Sequence, residues 1–371
     1  MDATRDGAMA PGGRGAKGKL QRGNARQRGG QASGIAAARS SNLDGQCYGA
    51  LDLGTNNCRL LLARPSARGF VVIDAFSRIV RLGEGLGNSG ALKDAAMDRT
   101  IEALRVCNNK LKWHRVERKR LVATEACRLA ENGARFIQRV ADETGLELEI
   151  INRETEAALA AAGAEPLMGD GAKSSLIFDI GGGSTEVMWV ERPDDGDAST
   201  AGEVKAWISL AAGVVTLSER HGGGREVSFE QFEAMCSDVK DLLRPFVTQV
   251  ASFAGGAGPD HLLGTSGTVT TIAGVHLGLR HYDRSIVDGC WLESEEASRV
   301  TADLRNMSYE ERMRNGCIGR ERADLVLAGC AILEEIRRAF PEKRIRVADR
   351  GLREGILAQL MKADGHVGRR L

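Results

Sequence analysis

The sequence predicts an α/β protein made of two similar halves that face each other across a cleft. Residues 175–190 read SLIFDIGGGSTEVMWV, in which an apolar run ends in Asp179 and a glycine turn leads to a second apolar run. Residues 52–62 read DLGTNNCRLLL and repeat that pattern, with Asp52 in the place of Asp179. Apolar runs of strand length on both sides of a small-residue turn indicate hairpins. Two copies of one hairpin predict two copies of one architecture, with a ligand site between them.

In the first half, short polar turns between three apolar runs predict an antiparallel meander, after which the hydrophobic period changes to that of a helix. The elements predicted for this half are strands at 47–53, 58–64 and 69–79, a helix at 93–112, a strand at 120–124, a helix at 134–143, a strand at 146–152 and a helix at 154–164. The last helix is rich in alanine and should cross toward the second half.

The second half is predicted to repeat the meander and to add more helices. After the central hairpin, the predicted elements are a polar loop at 194–202, a strand at 204–210, helices at 215–221 and 229–252, a strand at 261–264, helices at 265–279, 294–307 and 321–340, a strand at 344–348 and a helix at 352–362. The segment GTSGT at 264–268 places a small-residue turn at a helix N-terminus, which is a natural anion contact. An ordinary N-cap by Ser266 or Thr268 is the alternative.

Composition predicts a globular body and a separate basic tail. The chain has 371 residues, of which 42% are hydrophobic, and this is enough for two cores. No run approaches the roughly 18 apolar residues of a membrane span, and no secretory signal is visible, so a cytoplasmic protein without a membrane partner is expected. The eight cysteines show no CxxC spacing, which disfavours a zinc site or a redox pair. Residues 1–45 are rich in Gly, Ala and Arg and are predicted to be disordered. A solubilising extension is the favoured interpretation, with a transit peptide and weak binding of polyphosphate or RNA through the positive charge as alternatives, and nucleic acid is otherwise not expected as a partner.

The glycine turn at 181–183 predicts a cradle for an anion such as phosphate. Glycines can adopt positive φ and bring backbone N–H groups close to a ligand. Asp179 and Glu186 would repel that anion, so the arrangement requires a divalent cation between them or a carboxylate that handles water. The alternative is an ordinary glycine hairpin with two exposed acids, which the second copy disfavours.

The two hairpins and GTSGT resemble the acetate and sugar kinase/Hsp70/actin superfamily. Further motifs resemble one of its branches, the exopolyphosphatase and guanosine pentaphosphate phosphohydrolase (Ppx/GppA) family. These motifs are ATEACR at 123–128, ETEAALA at 154–160 and ADRGLREGIL at 348–357. The resemblance covers about residues 47–362, and the joint occurrence of the motifs in this order is far more specific than any single motif.

The resemblance implies two ribonuclease H-like domains, the actin-like ATPase duplication, with an interdomain cleft. Domain I is expected at 46–158 together with the C-terminal helix at 352–364, and domain II at 159–351. Only nine residues follow Lys362, so the additional C-terminal helical domain found in longer members of the family is expected to be absent.

Site residues follow from the motifs and from the resemblance. Glu156 matches the proposed catalytic base of the family, and Arg128, Asp179 and Glu186 complete the expected catalytic set. Mg²⁺ is the expected cofactor, held by Asp52, Asp179 and Glu186, with a monovalent cation as an additional candidate. The residues expected to bind substrate are Asp52, Gly54, Thr55, Asn56, Gly181, Gly182, Gly183, Ser184, Ser266, Gly267 and Thr268.

The chain departs from the family pattern beside Glu156. The family commonly has arginine where Ala158 stands and a second glutamate where Thr155 stands. These losses predict weaker positioning of Glu156 and a lower turnover rate.

The resulting hypothesis is hydrolysis of the terminal phosphoanhydride of inorganic polyphosphate by a water that Glu156 activates, with release of orthophosphate. Guanosine pentaphosphate (pppGpp), cut at its γ-phosphate, is the nearest alternative substrate. A superfamily kinase or ATPase and a non-catalytic sensor of polyphosphate or alarmones are the rival functions. No Cys–His or Ser–His pairing recommends a covalent route. A homodimer is a further expectation.

Overall fold

Two β-sheets covered by helices organise the part of the chain that the computed structural model describes, namely residues 46–67, 69–169, 171–193 and 202–366. The predicted tail at 1–45 lies outside the described residues, as does nearly all of the predicted loop at 194–202. Within the described ranges, no helix combines the length and the apolar character needed to cross a membrane.

The first sheet is built from the predicted meander and two further parallel strands. The elements of this half are β1 (Tyr48–Leu53), β2 (Asn57–Ser66), β3 (Gly69–Ile79), α1 (Leu86–Ser89), α2 (Asp94–Trp113), β4 (Arg118–Ala123), α3 (Glu125–Leu129), α4 (Gly133–Thr144), β5 (Glu149–Ile150) and α5 (Arg153–Ala164). The strand order is β3-β2-β1-β4-β5. β1, β2 and β3 pair antiparallel, whereas β4 pairs parallel with β1 and β5 parallel with β4.

The second sheet repeats this plan after a short 3-10 helix at Glu165–Met168. Its half contains β6 (Ser174–Ile180), β7 (Thr185–Glu191), β8 (Glu203–Leu210), α6 (Val214–Arg220), α7 (Phe229–Ala254), β9 (Leu262–Thr265), α8 (Ser266–His276), α9 (Arg284–Val287), β10 (Trp291–Glu293), α10 (Ser294–Asn306), α11 (Tyr309–Arg314), α12 (Val326–Ala339), β11 (Arg344–Ala348) and α13 (Leu352–Ala363). The strand order is β10-β11-β9-β6-β7-β8. Strands β8-β7-β6-β9-β11 pair in the same way as β3-β2-β1-β4-β5, with the first three antiparallel and the last two added in parallel. β10 is an additional antiparallel strand at the edge beside β11. The predicted duplication of a ribonuclease H-like, actin-like fold is confirmed.

The last helix, α13, packs back on the first half. Its apolar side chains, among them Ile356 and Leu357, share a buried cluster with Val122 and Leu159. A Cβ atom on Gly355 would lie only 2.0 Å from the carbonyl oxygen of Leu159, so glycine permits this close crossing of α13 and α5. The packing is consistent with the C-terminal helix as part of domain I, and the domain boundaries stay a prediction.

Two predicted elements are wrong in extent. The strand expected at 146–152 is reduced to Glu149–Ile150. The helix expected at 321–340 begins only at Val326, because Arg81 holds the preceding turn through the side chain of Asp324 and the carbonyl of Glu321. Tertiary contacts here override the helical period of the sequence.

Candidate active site

A cleft lies where the turns after β1 and β6 meet the start of α8. It encloses about 940 Å³ of empty space, with the open solvent at its mouth included. Every predicted catalytic and binding residue lines it, apart from Arg128. The motifs follow the ends of corresponding strands in the two sheets, and these strand ends meet at the cleft. The structure brings the residues together, and their individual roles stay predictions.

The two turns have the same backbone geometry. The amide of Gly54 donates to the carbonyl of Asn57 at 2.9 Å, and the amide of Gly181 donates to the carbonyl of Ser184 at 2.9 Å. These two amides are therefore used within the turns and do not face a ligand, contrary to the expectation from sequence. The amides that follow in each turn are the ones left to receive an anion.

The turn glycines are needed for close approach, and the expectation of positive φ is wrong. Gly54 and residues 181–183 are absent from the positions with positive φ in the described part of the chain. A Cβ atom on Gly182 would lie 3.1 Å from the Cβ atom of Thr55, and one on Gly183 would lie 2.5 Å from the Thr55 hydroxyl. Glycine therefore allows the second turn to pack directly against the first.

The second hairpin brings two carboxylates to the cleft, of which Glu186 is buried and Asp179 is partly buried. Asp179 and Glu186 face each other across β6 and β7. Glu186 Oε1 accepts hydrogen bonds from the hydroxyls of Ser184 at 2.8 Å and Ser209 at 2.9 Å. Burial raises the pKa of Asp179 to about 6, and burial together with the charge of Asp179 raises the pKa of Glu186. Burial also raises the pKa of Asp52 on the first hairpin. A cation would relieve this crowding of negative charge.

The donor set fits a hydrated magnesium ion better than a fully protein-ligated one. Among the described residues, no three His, Cys, Asp or Glu side chains lie close enough together to ligate one metal ion directly. Mg²⁺ usually keeps several waters and binds through one or two carboxylates plus substrate phosphates. Asp52, Asp179 and Glu186 all line the cleft, so one or two of their carboxylates are available to such an ion.

Glu156 is hydrogen-bonded to Arg128, which does not line the cleft. Arg128 Nη2 donates to Glu156 Oε2 at 3.0 Å, and Arg128 Nε donates to Glu125 Oε2 at 3.0 Å. Another nitrogen of this guanidinium donates to the carbonyl of Ile151. Burial, followed by the charge of Glu186, raises the pKa of Glu156, whereas Arg128 lowers it. These bonds already orient Glu156, so a phosphate bound by Arg128 would have to compete with them.

Glu125 is a site residue that the sequence analysis did not single out. Its side chain is buried, and it accepts a hydrogen bond from Arg153 Nη2 at 2.6 Å in addition to those from Arg128. Burial opposes its charge, but hydrogen bonds from Arg153 and Arg128 hold the pKa of Glu125 below its ordinary value. The spacing of three between Glu125 and Arg128 on α3 was the signal in the sequence.

Ala158 lies on a different face of α5 from Glu156. Residues two apart on a helix do not face each other, and Ala158 is exposed to solvent. Glu156 has Arg128 as its partner without any contribution from position 158. Alanine in place of the family arginine therefore changes an exposed position and removes no partner of Glu156. This weakens the expectation that Glu156 is poorly positioned.

The start of α8 presents a strained residue to the cleft. Ser266 has φ 84°, a left-handed conformation that is unusual for a residue with a side chain. Its buried hydroxyl has no hydrogen-bond partner among the described residues, and neither do the side-chain oxygens of Asn56 and Asn57. Thr265 is the N-cap and makes no side-chain capping bond, so the ordinary capping alternative is wrong. A helix N-terminus with free amides favours an anion.

Two arginines complete the cleft and were missed from sequence. Arg59 faces Asp52 across β1 and β2, at the register that Glu186 occupies opposite Asp179. Arg322 lies in the turn before α12, which the sequence analysis placed inside a helix. Alternation along a strand does not distinguish a cleft arginine from an exposed one, so only the alignment of the two hairpins could have identified Arg59.

Comparisons with known proteins agree with this architecture. A model of the Ppx/GppA phosphatase family matches residues 61–364. The chain is 26% identical to an exopolyphosphatase-like protein of known structure, with a TM-score of 0.76 over 85% of this chain and 99% of that chain. It is 27% identical to the Aquifex aeolicus member of the Ppx/GppA family, with a TM-score of 0.69 over 87% of this chain and 99% of that chain. An exopolyphosphatase from Cytophaga hutchinsonii, at 24% identity, shares the fold with a TM-score of 0.77 over 86% of this chain and 98% of that chain.

Proposed function

Since the chain belongs to the Ppx/GppA phosphatase family, whose members hydrolyse phosphoanhydrides, we propose that it removes the terminal phosphate of inorganic polyphosphate as orthophosphate. The proposal is carried by one observation, the partly buried Glu156 in a cleft where the Ser266 hydroxyl and the side-chain oxygens of Asn56 and Asn57 lack partners among the described residues. An unpaired buried polar group costs about 1–3 kcal/mol. The hydroxyl of Ser266 can donate to a phosphate oxygen, and the oxygens of Asn56 and Asn57 can accept from water.

Each of the cleft residues has its own role in the proposed reaction. Glu156 takes a proton from the attacking water, and the new bond to phosphorus forms as the bond to the bridging oxygen breaks. Arg128 fixes the orientation of Glu156. The amides of Gly182 and Gly183 and the start of α8 meet the charge on the phosphoryl oxygens. Asp52, Asp179 and Glu186 would hold Mg²⁺ directly through one or two carboxylates or through its waters, and the ion would neutralise charge on the substrate's phosphates.

Polyphosphate is favoured over guanosine pentaphosphate by the character of the lining. No aromatic side chain occurs among the described residues that line the cleft. A nucleobase gains much of its binding free energy by stacking on aromatic rings, about 1–3 kcal/mol per base. Inorganic polyphosphate has no such need, because charge and hydrogen bonds suffice for its recognition.

The test is release of orthophosphate with Mg²⁺ and without an acceptor. Long-chain polyphosphate and guanosine pentaphosphate are compared as substrates of the same preparation. We expect kcat/KM for polyphosphate to be at least about tenfold higher, since about 1.4 kcal/mol of discrimination is enough for that ratio. A preference for guanosine pentaphosphate would replace the proposed substrate. Binding of both without release from either would support a sensor.

A further inference from the structure

A short segment after β3, residues 80–90, joins the two halves beside the cleft, and we call it the strap. Its backbone is bonded to the first turn of the cleft. The amide of Arg81 donates to the carbonyl of Asn56 at 3.0 Å, and the amide of Gly83 donates to the carbonyl of Thr55 at 2.9 Å. Both acceptors belong to residues that line the cleft, so a movement of the strap also moves the cleft wall.

The strap is also bonded to the second half. Arg81 donates to both carboxylate oxygens of Asp324, at 2.8 and 2.9 Å, and to the carbonyl of Glu321 at 3.0 Å. The amide of Gly85 donates to Glu219 Oε1 at 2.8 Å. Arg81 has φ 48°, a strained conformation for a residue with a side chain, and the two bonds to Asp324 offset that strain. Because the donors belong to one half and the acceptors to the other, these bonds exist only while the halves are close.

A second arginine, Arg312 of α11, is buried without a full set of partners. Its side chain belongs to a residue that is only 2% exposed, and its Nη2 donates to the carbonyl of Arg225. Its Nε and Nη1 have no hydrogen-bond partner among the described residues. A guanidinium that is taken out of water needs a carboxylate or other acceptors to offset the loss of hydration. Arg312 therefore lacks an acceptor in this arrangement of the chain.

Asp324 is within electrostatic reach of both arginines. Its hydrogen bonds and charge raise the pKa of Arg81. Burial lowers the pKa of Arg312, and the charge of Asp324 is among those that oppose this effect. A hollow of about 1090 Å³, open solvent included, is lined by Arg81, by Asp324 and by Arg225, whose carbonyl Arg312 binds. The carboxylate of Asp324 therefore has space in which to turn from one arginine toward the other.

We propose that Asp324 exchanges partners as the cleft opens and closes, pairing with Arg81 in the closed form and with Arg312 when the strap withdraws. Arg81 and Asp324 are thus positioning residues. Through the strap, their pair holds the first turn in place, and Asp324 lies two residues after Arg322, which lines the cleft. The kinetic consequence of this exchange rests on the proposed function, whereas the exchange itself is a property of the protein without substrate.

Three variants distinguish an exchange of partners from a simple latch. Arg81→Gln leaves Asp324 free to pair with Arg312, so the open form is favoured, and KM for polyphosphate should rise about tenfold with little change in kcat. Asp324→Asn weakens both pairings and should raise KM less than Arg81→Gln does. In the double variant, the loss of the Asp324 charge removes the pair that stabilises the open form, so KM should fall back toward the value for Asp324→Asn. A latch without exchange predicts that Asp324→Asn and the double variant are both at least as impaired as Arg81→Gln.

Amide hydrogen exchange of the strap follows the same equilibrium without any need for activity. The amide of Gly85 is bonded to Glu219 only while the strap contacts the second half. In peptides that cover residues 80–90, exchange should be faster in Arg81→Gln than in the unaltered protein and slower again in the double variant. If the unaltered protein releases no phosphate, the proposed function fails, and the order of these exchange rates still decides whether Asp324 changes partners.

Arg139→Gln is the matched control. The side chain of Arg139 is 35% exposed, as is that of Arg81, and it pairs with Asp98 at 2.7 Å within the first half. Neither Arg139 nor Asp98 lines the cleft or the hollow, so KM and exchange of the strap should stay unchanged. The proposal is wrong if Arg81→Gln leaves exchange of the strap unaltered, or if the double variant exchanges as fast as Arg81→Gln.

Discussion

The two hairpins share a backbone and differ in charge. In the first turn, Asp52 faces Arg59 across the strands, whereas in the second turn Asp179 faces Glu186 at the equivalent register. The exchange of one side chain turns a neutral pair into a doubly acidic one. The difference suggests a division of labour, in which the second hairpin holds Mg²⁺ and the first contributes a cation that holds substrate.

The largest expected effect comes from neutralising the acidic hairpin. Asp179→Asn and Glu186→Gln should each lower kcat by about 10³-fold, because the charge that holds Mg²⁺ beside the phosphate is lost. Burial raises the pKa of both groups, so the ionised forms do not stabilise the fold, and the melting temperature should not fall. Glu191→Gln at the end of β7 is the matched control, with unchanged turnover expected. Near-normal activity of either variant at limiting Mg²⁺ would remove the metal from this hairpin.

Arg59 tests the other side of the comparison. Arg59→Gln should raise KM for polyphosphate by about tenfold and change kcat less, since this arginine is assigned to holding the substrate. Arg59→Lys should restore part of the affinity, because it restores the charge without the planar fork. A fall in kcat with unchanged KM would move Arg59 from binding to catalysis and erase the proposed division.

The pH profile sharpens the role of the residues between the hairpins. Glu156 must be deprotonated to take a proton from water, so activity should be low below its pKa and rise with pH. Burial and the charge of Glu186 raise that pKa, and Arg128 opposes the rise. Arg128→Gln should therefore move the acidic limb of kcat/KM to higher pH, by about one unit or more. Ala158→Arg, on the exposed face of α5, should leave the limb in place. If the acidic limb moved in Ala158→Arg and stayed in place in Arg128→Gln, Arg128 would not be the residue that lowers the pKa of Glu156.

The smallest effect separates two glycines at equivalent positions. A Cβ atom on Gly181 would lie 2.9 Å from the carbonyl oxygen of Ser184, whereas one on Gly54 has no contact closer than 3.6 Å. Gly181→Ala should lower the free energy of unfolding by about 1–3 kcal/mol, as overpacking does. Gly54→Ala should change it less. Denaturant unfolding of both variants measures the difference, and equal losses would show that the turns are not packed differently.

The hairpins and most of the helices could be predicted from the sequence because their signals are local. The strands of the first meander and α2, α5 and β11 follow from hydrophobic period and from glycine turns. The short elements α1, α9, α11 and β10 were missed, since segments of three to six residues are too short to show a hydrophobic period. The turn before α12 was also missed, because Arg81 of the first half fixes it from a distance.

The sequence predicted the motifs that form the candidate site, but it did not predict how positive and negative side chains are paired there. Alignment of the two hairpins placed Asp52 opposite Asp179 across the cleft, which required no tertiary information. The bonds that join Glu125, Arg128 and Glu156 depend on how α3 and α5 meet, and no local pattern specifies that. The conformation of Ser266 likewise arises from the junction of β9 and α8.

The central claim is that Glu156 activates the attacking water but is not needed for polyphosphate to bind in the cleft. The direct measurement pairs equilibrium binding of long-chain polyphosphate with the rate of orthophosphate release, for the unaltered protein and for Glu156→Gln. We predict that release falls by about 10²–10⁴-fold in the variant, the usual contribution of a general base. Binding should be equal or tighter, because a negative charge beside the polyanion is removed. A variant that keeps most of the rate, or that loses binding in proportion to rate, would contradict the claim.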